Sequence, residues 1–437
     1  MRISILKETK MYRFKFILHK IALVFYLCLP LGAKATQLLI PMDNGQSNHL
    51  KAYGIAYWTL ENGVVIEWLL NYKGGSFLMP HLQEIERELK IRGVKYQVLT
   101  DGQVASIKAE IANPEVNMEV VQLEKAPKIA VYTPPNKQPW DDAVTMVLEY
   151  AEIKYDKIYD SAIVMGTLPK YDWLHLHHED FTGQYGKFYS TASYQPWYKE
   201  QVRVNETNAL QFGYQKVSQF KLAVAKNIKN FILGGGFLFT MCSGTDSYDI
   251  ALAAEGLDIC DQIYDGDGVD PSAQQKLDFN KALAFQNFTL NRDPYFYEYS
   301  NIDASDLRNN FTIREDEDYF TLFEYSAKWD IVPTMLTQCH TNLVKGFMGQ
   351  STDFRKEFIK PNVLVMGETK SIGTARYLHG EYGQGMWTFY GGHDPEDYQH
   401  FVGDPPTDLN LHPNSPGYRL ILNNILFPAA KKKKRKT

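Results

Sequence analysis

The chain has 437 residues, with 46 Lys+Arg against 51 Asp+Glu, and is 44% hydrophobic and 22% charged. So high an apolar fraction with so balanced a charge excludes a disordered protein. No apolar run approaches the roughly 20 residues of a membrane-spanning helix, and the mean charge does not suggest a nucleic-acid binder.

The first 35 residues differ from the rest. Arg2, Lys7, Lys10, Arg13, Lys15 and Lys20 form a basic lead with only Glu8 against it. Ile21 to Leu31 is an apolar stretch, and Ala33-Lys34-Ala35 places small residues as signal peptidase requires. This reads as a secretory signal peptide cleaved near Ala35, hence an exported, periplasmic or cell-surface protein. Cleavage removes seven basic groups and one acid, leaving 39 bases against 50 acids. Residues 431–437 hold six more basic groups, so the folded body carries 33 bases against 50 acids, near −17. That basic tail reads as a solvated run, one that could touch an anionic membrane surface. Cys28 leaves with the signal. Cys242, Cys260 and Cys339 remain, an odd number, so at least one thiol stays free or pairs between chains.

Residues 36–125 read as a small N-terminal α/β unit. Its expected elements are a strand over Gln37–Met42, a helix over His49–Asn62, a strand over Val64–Leu70, a helix over Pro80–Arg92 and a strand over Val94–Leu99. A second α/β series spans 126–430. It opens with a strand at Lys128–Tyr132 and a helix from Trp140 through Ile153, with Asp141 and Asp142 favouring its N-terminus. Strands follow at Tyr159–Val164 and Tyr171–His178, then a helix at Val217–Asn230, a strand at Phe237–Met241 and a helix at Asp246–Glu255. Residues 256–360, rich in Tyr, Phe, Asn and Asp, read as a long insertion with a helix near Asp353–Ile359. Strands return at Asn362–Met366, Thr374–Gly380 and Met386–Tyr390, and Pro416–Phe427 is a closing helix.

Three segments could carry chemistry. In Phe239-Thr240-Met241-Cys242-Ser243-Gly244 a hydrophobic strand meets a helix at a small-residue turn with Cys at its apex, the pattern of a nucleophile elbow. The helix N-terminus would favour thiolate there. A buried strand-end cysteine fits the same residues. Gly391-Gly392-His393-Asp394-Pro395-Glu396 ends the last strand, where open α/β sheets gather function. His393 could act as base, with Glu396 or Asp394 orienting it. His175, His177, His178, Glu179 and Asp180 lie at another strand end. His175 and His177 share a face, so a metal pair is conceivable, but a binding-site rim is the reading preferred. Asp265-Gly266-Asp267-Gly268-Val269-Asp270 lacks the closing Glu of a calcium loop and reads as a turn. Asn205, Asn287 and Asn310 each open a glycan acceptor triplet.

Together these segments resemble the class I glutamine amidotransferase-like superfamily. The strand at Tyr171–His178 is similar to the one leading to its oxyanion loop, Cys242 falls at its nucleophile position, and His393 and Glu396 fall where its His and Glu do. The closing stretch, Tyr382-Gly383-Gln384-Gly385 through Gly392-His393-Asp394-Pro395-Glu396, is closer still to the trehalose-utilisation-type branch. Thr240 stands where a Gly is usual, and the His–Glu spacing is three rather than two. The resemblance implies a flavodoxin-like three-layer α/β sandwich with the small N-terminal unit and the long insertion added. It also implies a Cys242–His393–Glu396 amide or ester hydrolase or acyl transferase, with His177, His178, Glu179, Ser243, Gly244 and Asp394 at the substrate.

Two alternatives stay open. One is a non-catalytic carbohydrate-binding or assembly protein on the same fold, using the insertion's Tyr295, Phe296, Tyr297, Tyr299, Tyr319 and Phe320 for stacking. The other comes from a resemblance of the whole chain to exported proteins labelled asparagine synthetase B. Such a synthetase needs an N-terminal Cys, where residue 36 is Thr. It also needs a Ser-Gly-Gly-x-Asp-Ser loop, of which Ser243-Gly244-Thr245-Asp246-Ser247 is one residue short. No cofactor and no metal is expected. The expected partner is a small amide, ester or carbohydrate, not nucleic acid.

Overall fold

The structure is a computed structural model describing residues 35–307, 313–399 and 401–431. The signal segment through residue 34, the Asn310 acceptor triplet and the tail from residue 432 lie outside the described residues. The described residues form an α/β fold with two sheets. No helix among the described residues is long and apolar enough to cross a membrane.

The smaller sheet contains β1 (Ala35–Ile40), β2 (Ile66–Leu70), β3 (Ser76–Pro80), β4 (Gln97–Thr100) and β5 (Glu119–Leu123). Their order is β4-β1-β3-β2-β5, antiparallel throughout. Three helices accompany it. In α1 (His49–Glu61) the Asn48 side chain caps the N-terminus, accepting from Lys51 N at 2.8 Å. In α2 (Gln83–Ile91) Ile85 and Leu89 are buried and Glu84 and Glu86 lie in the first turn, where acids suit the helix dipole. A Thr100/Gln103 capping box starts α3 (Asp101–Ala112), a helix that the apolar pattern does not reveal. Its Val104, Ile107 and Ile111 cover Leu39, Leu69 and Leu78. The opposite face of the sheet sends Leu38, Ile40, Trp68 and Phe77 into the main core.

The larger sheet has nine strands: β6 (Ile129–Tyr132), β7 (Asp156–Ile158), β8 (Trp173–Leu176), β9 (Phe237–Met241), β10 (Tyr319–Leu322), β11 (Leu343–Lys345), β12 (Leu364–Thr369), β13 (Thr374–Tyr382) and β14 (Gly385–Tyr390). They lie in the order β11-β10-β12-β13-β14-β9-β8-β6-β7. The five from β14 to β7 are parallel, and the other four extend the sheet antiparallel. Alternating side chains divide between two cores. Ile129, Val131, Phe239 and Met241 face the first, with α4 (Ala143–Tyr150) and the closing helix (Pro416–Leu426). Ala130, Tyr132, Leu174 and Leu238 face the second, with the helices Val217–Leu233 and Gly244–Ala253. A helix at Pro196–Gln211, likewise not marked by its apolar pattern, lies on that side.

Three expectations are corrected. The stretch Tyr159–Val164 is not a strand but a short helix, Asp160–Val164, directly after β7. Periodicity cannot separate the two in so short an apolar run. The expected helix near Asp353–Ile359 is only a 3₁₀ turn at Lys356–Phe358, because Phe354 forms extended bridges with Asp303 and Ala375. The stretch 256–360 does more than interrupt the α/β rhythm: it supplies β10 and β11, the outer strands on one side of the larger sheet.

Candidate functional site

Four parallel strands deliver their continuations to one edge of the larger sheet. β6 leads to the loop holding Trp140, Asp141 and Asp142; β8 leads to His177, His178 and Glu179; β9 leads to Cys242; β14 leads to Gly391, Gly392 and His393. Asp142 is also the N-cap of α4, accepting from Thr145 N at 2.7 Å, which fixes its position.

Imidazoles crowd this edge. The rings of His177 and His178 stack with centroids 4.0 Å apart, and His393 lies 4.6 Å from the first and 4.3 Å from the second. His175, one pleat below, has Nδ1 3.1 Å from the Phe239 carbonyl. A carbonyl only accepts, so Nδ1 is the donor. Asp142 Oδ2 stands 3.4 Å from His175 Nε2 and 3.2 Å from His177 Nδ1. Burial works against that carboxylate, yet the two imidazoles hold it well below the usual range. Burial lowers His175, against the opposing pull of Asp142, and lowers His178 more strongly. His177 is 1% exposed, and neither of its ring nitrogens makes a hydrogen bond; such a buried orphan costs about 1–3 kcal/mol. His393 Nε2 lies 3.8 Å from Asp141 Oδ1.

A cleft of about 660 Å³ opens on these groups, lined by Tyr132, Trp140, Asp141, Asp142, His178 and Glu179 among others. Glu179 Oε2 accepts from His177 N at 2.6 Å, and burial pushes its carboxyl up to about 7. Trp140 packs 5.1 Å from both His178 and Phe188, and Phe188 lies 5.6 Å from Tyr297, so an aromatic wall stands beside the cleft.

Cys242 has φ +50°, a left-handed conformation uncommon outside glycine and typical of a strained elbow. Gly244 permits the turn: its N–H donates to the His177 carbonyl at 2.7 Å, and a Cβ there would lie 2.6 Å from that oxygen. The sulfur is nevertheless covered. Gln350 N donates to Sγ at 3.2 Å, and a Cβ on Gly349 would lie 3.0 Å from it. Burial pushes the thiol up to about 11, outweighing N–H donation from Ser351, Gln350 and Ser243. Cys242 is not among the residues lining the cleft. Iodoacetamide should therefore label Cys242 in the native protein at least about 100-fold more slowly than in the denatured chain at pH 8, because thiolate is the reactive form. Peptide-resolved mass spectrometry measures this, and labelling at the denatured rate would contradict the covered elbow.

Of the expected Cys242–His393–Glu396 triad, the carboxylate is paired with a different histidine. The Glu396 carboxylate lies 3.0 Å from His412 Nδ1, while the carboxylate beside His393 is that of Asp141. Asp394 is turned inward, accepting from Tyr418, Thr407 and the Glu396 N–H. Ser243 and Gly244 adjoin Cys242 and His177 but are buried. The synthetase-like loop spends its groups internally: Thr245 Oγ1 donates to Cys242 O, Ser247 Oγ to Glu179 O, and Ser351 Oγ to Asp246 Oδ1. Of the insertion's aromatics, Tyr299 and Phe320 are core, whereas Tyr295, Phe296, Tyr297 and Tyr319 are exposed. In the acidic loop, Lys216 Nζ lies 2.5 Å from Asp258 and 3.0 Å from Asp265, so a lysine supplies the cation. All three remaining cysteines are free thiols.

No family model matches the chain, and no curated protein matches it. Among solved structures it is similar to two proteins described only as cytoplasmic, from Salmonella typhimurium and its strain LT2. Each is 11% identical, with 70% of this chain and 100% of the other covered, at TM-scores of 0.34 and 0.35. A GH42 beta-galactosidase, Gan42B, aligns at 11% identity and TM-score 0.23 over 62% of this chain and 28% of its own. Likenesses this low decide nothing about function.

Proposed function

We propose that the chain is an exported glutamine amidotransferase-like protein of flavodoxin-like topology, which binds a small polar molecule in the cleft above β6 and β8 and hydrolyses an amide or ester bond there. His178, Asp141, Asp142 and Glu179 line that cleft, with His177 and His393 grouped behind His178, and this convergence carries the reading. Numbered along the chain, the five parallel strands lie in the order second, first, third, fourth, fifth, which supports a flavodoxin-like plan. In such sheets ligands bind where the order reverses, between the first and third strands. Those are β6 and β8, whose following loops line the cleft. Export rests on the basic, apolar and small-residue leader.

The chemistry uses groups on the cleft wall. A water held beside the histidines gives its proton to Asp141 or Glu179. Its oxygen bonds to the carbonyl carbon while imidazole and backbone N–H donors hold the oxyanion. The C–N or C–O bond then breaks, and the leaving amine or alkoxide takes the proton back. A second reading, Cys242 as nucleophile, is favoured by its φ and by the N–H donors on its sulfur, and requires the 349–351 segment to lift.

A panel of amides and esters, glutamine included, tests both. Cys242→Ser should keep kcat within about threefold, whereas Asp141→Asn should lower it about 10²-fold. The reverse pattern sinks the histidine–carboxylate centre in favour of Cys242. No turnover on any substrate, with retained binding of oligosaccharides, leaves a carbohydrate-binding protein using the Trp140, Phe188 and Tyr297 wall.

A further inference from the structure

We propose that His177, His178 and His393 form a binding site for a divalent transition metal of the zinc class. The inference goes beyond the hydrolase reading and does not require it. One nitrogen from each of the three rings lies within 4.8 Å of the others. A zinc ion with bonds of about 2.1 Å holds tetrahedral ligands about 3.4 Å apart, so side-chain rotation closes the set without moving the sheet. The two rings from the β8 loop stack almost parallel, at 5°, and the third arrives from β14, so the site exists only in the folded chain.

The surroundings orient the ligands. Asp142 Oδ2 stands 3.2 Å from His177 Nδ1, so with a metal bound it would take that N–H and leave Nε2 as the ligand atom. This is the carboxylate–histidine support found behind metal ligands. Both ring nitrogens of His177 are buried and make no hydrogen bond, and a cation in the cluster supplies the partner of Nε2. The Asp141 carbonyl, 3.4 Å from His178 Nε2, similarly leaves His178 Nδ1 as the ligand. Three imidazoles suit zinc, copper or nickel over calcium or magnesium, which require oxygen donors. His178 lines the cleft, so the fourth position opens to water or a small ligand, the arrangement of a reactive rather than a purely structural zinc site.

The sequence spacing conceals this site. His175 and His177 invite a pairing along one strand face. The ligand set instead joins His177 and its neighbour His178 to His393, which comes from the other side of β9.

The purified full-length chain, stripped with chelator, is titrated with zinc by calorimetry and with cobalt by absorption. The expected result is one equivalent bound, a rise in thermal midpoint on zinc addition, and a cobalt spectrum without a thiolate charge-transfer band. A His178→Ala/His393→Ala double variant should lose at least 100-fold in affinity, and Asp142→Asn 10- to 100-fold. His81→Ala, on the smaller sheet's surface, should bind as the parent does. Absence of binding to the parent overturns the site, and so does a thiolate band or an unaltered affinity in the double variant. If the double variant fails to fold, the parent's stoichiometry, spectrum and thermal shift still decide. Metal binding without hydrolysis sinks the hydrolase and leaves the metal site standing. Chelator-resistant hydrolysis by a protein that binds no zinc does the opposite.

Discussion

Lys221→Met is expected to lose about 3–5 kcal/mol of folding free energy, read by urea unfolding. Lys221 and Asp160 are both buried, with Nζ 2.7 Å from the carboxylate. Lys221 also donates to the Tyr132 hydroxyl at 2.8 Å and lies 4.9 Å over the Tyr159 ring, and Tyr132 itself donates to Asp160. Methionine keeps most of the stem's packing and removes the ammonium, so the cost is that of an uncompensated buried carboxylate. Against a typical total of about 5–15 kcal/mol, that is enough to bring the fold near its limit. Adding Asp160→Asn removes the stranded charge and should recover at least half the loss. A double variant as unstable as the single one would assign the effect to packing instead. Burial opposes the ammonium, but Asp160 and the tyrosines hold it above lysine's ordinary value. Its contribution is therefore whole below about pH 10 and falls away as pH rises through the folded-state value. Lys221, Tyr132 and Tyr159 line the cleft, so the lysine that stabilises the fold also shapes the wall of the site.

What the sequence discloses and conceals follows from the range of each interaction. Phe237–Met241 is read with its observed bounds, because an apolar run between three glycines and Ser243-Gly244 admits one interpretation. The elbow after it is local as well, and Cys242 does adopt the left-handed φ such a turn requires. Helix Asp101–Ala112 escapes notice because Ala and Gly dilute its three apolar contacts, although the Thr100/Gln103 capping box marks its start. β3 and β5 are five-residue strands; β3 follows β2 across a short loop, whereas β5 pairs with β2 from about fifty residues away, beyond any windowed pattern. The site fails in the same manner. Glu396 is three residues from His393, but the turn between them directs it to His412. Asp141 takes the place beside His393 from a loop that closes only when β6, β8, β9 and β14 line up. In the sequence Asp141 and Asp142 already have a sufficient explanation as helix N-terminal acids, so nothing there asks for a second role.

The glycine pair before His393 is explained by a contact the sequence does not reveal, and Gly391→Ala tests it. No left-handed φ is required at Gly391, so only space decides. A Cβ there would lie 2.1 Å from the Thr352 carbonyl oxygen. That carbonyl cannot yield cheaply. Thr352 N donates to Asp303 at 2.8 Å, its Oγ1 bridges the N–H and carbonyl of Gly349 at 2.9 Å each, and Gly392 N donates to Ser351 O at 2.8 Å. Removing glycine from the unfolded chain gains about 0.4–1 kcal/mol. Overpacking of this kind costs about 1–3 kcal/mol or more, so a net loss of about 2 kcal/mol is expected, with a lower urea midpoint. The strap from Gly349 to Thr352 should lift, taking Gln350 N off the Cys242 sulfur. Native-state alkylation of Cys242 should then rise at least tenfold over the parent. Global unfolding would expose Cys260 too, since it is also buried, whereas a lifted strap accelerates Cys242 alone. Equal acceleration of both thiols, or of neither, would mean that the strap is not what shields the elbow.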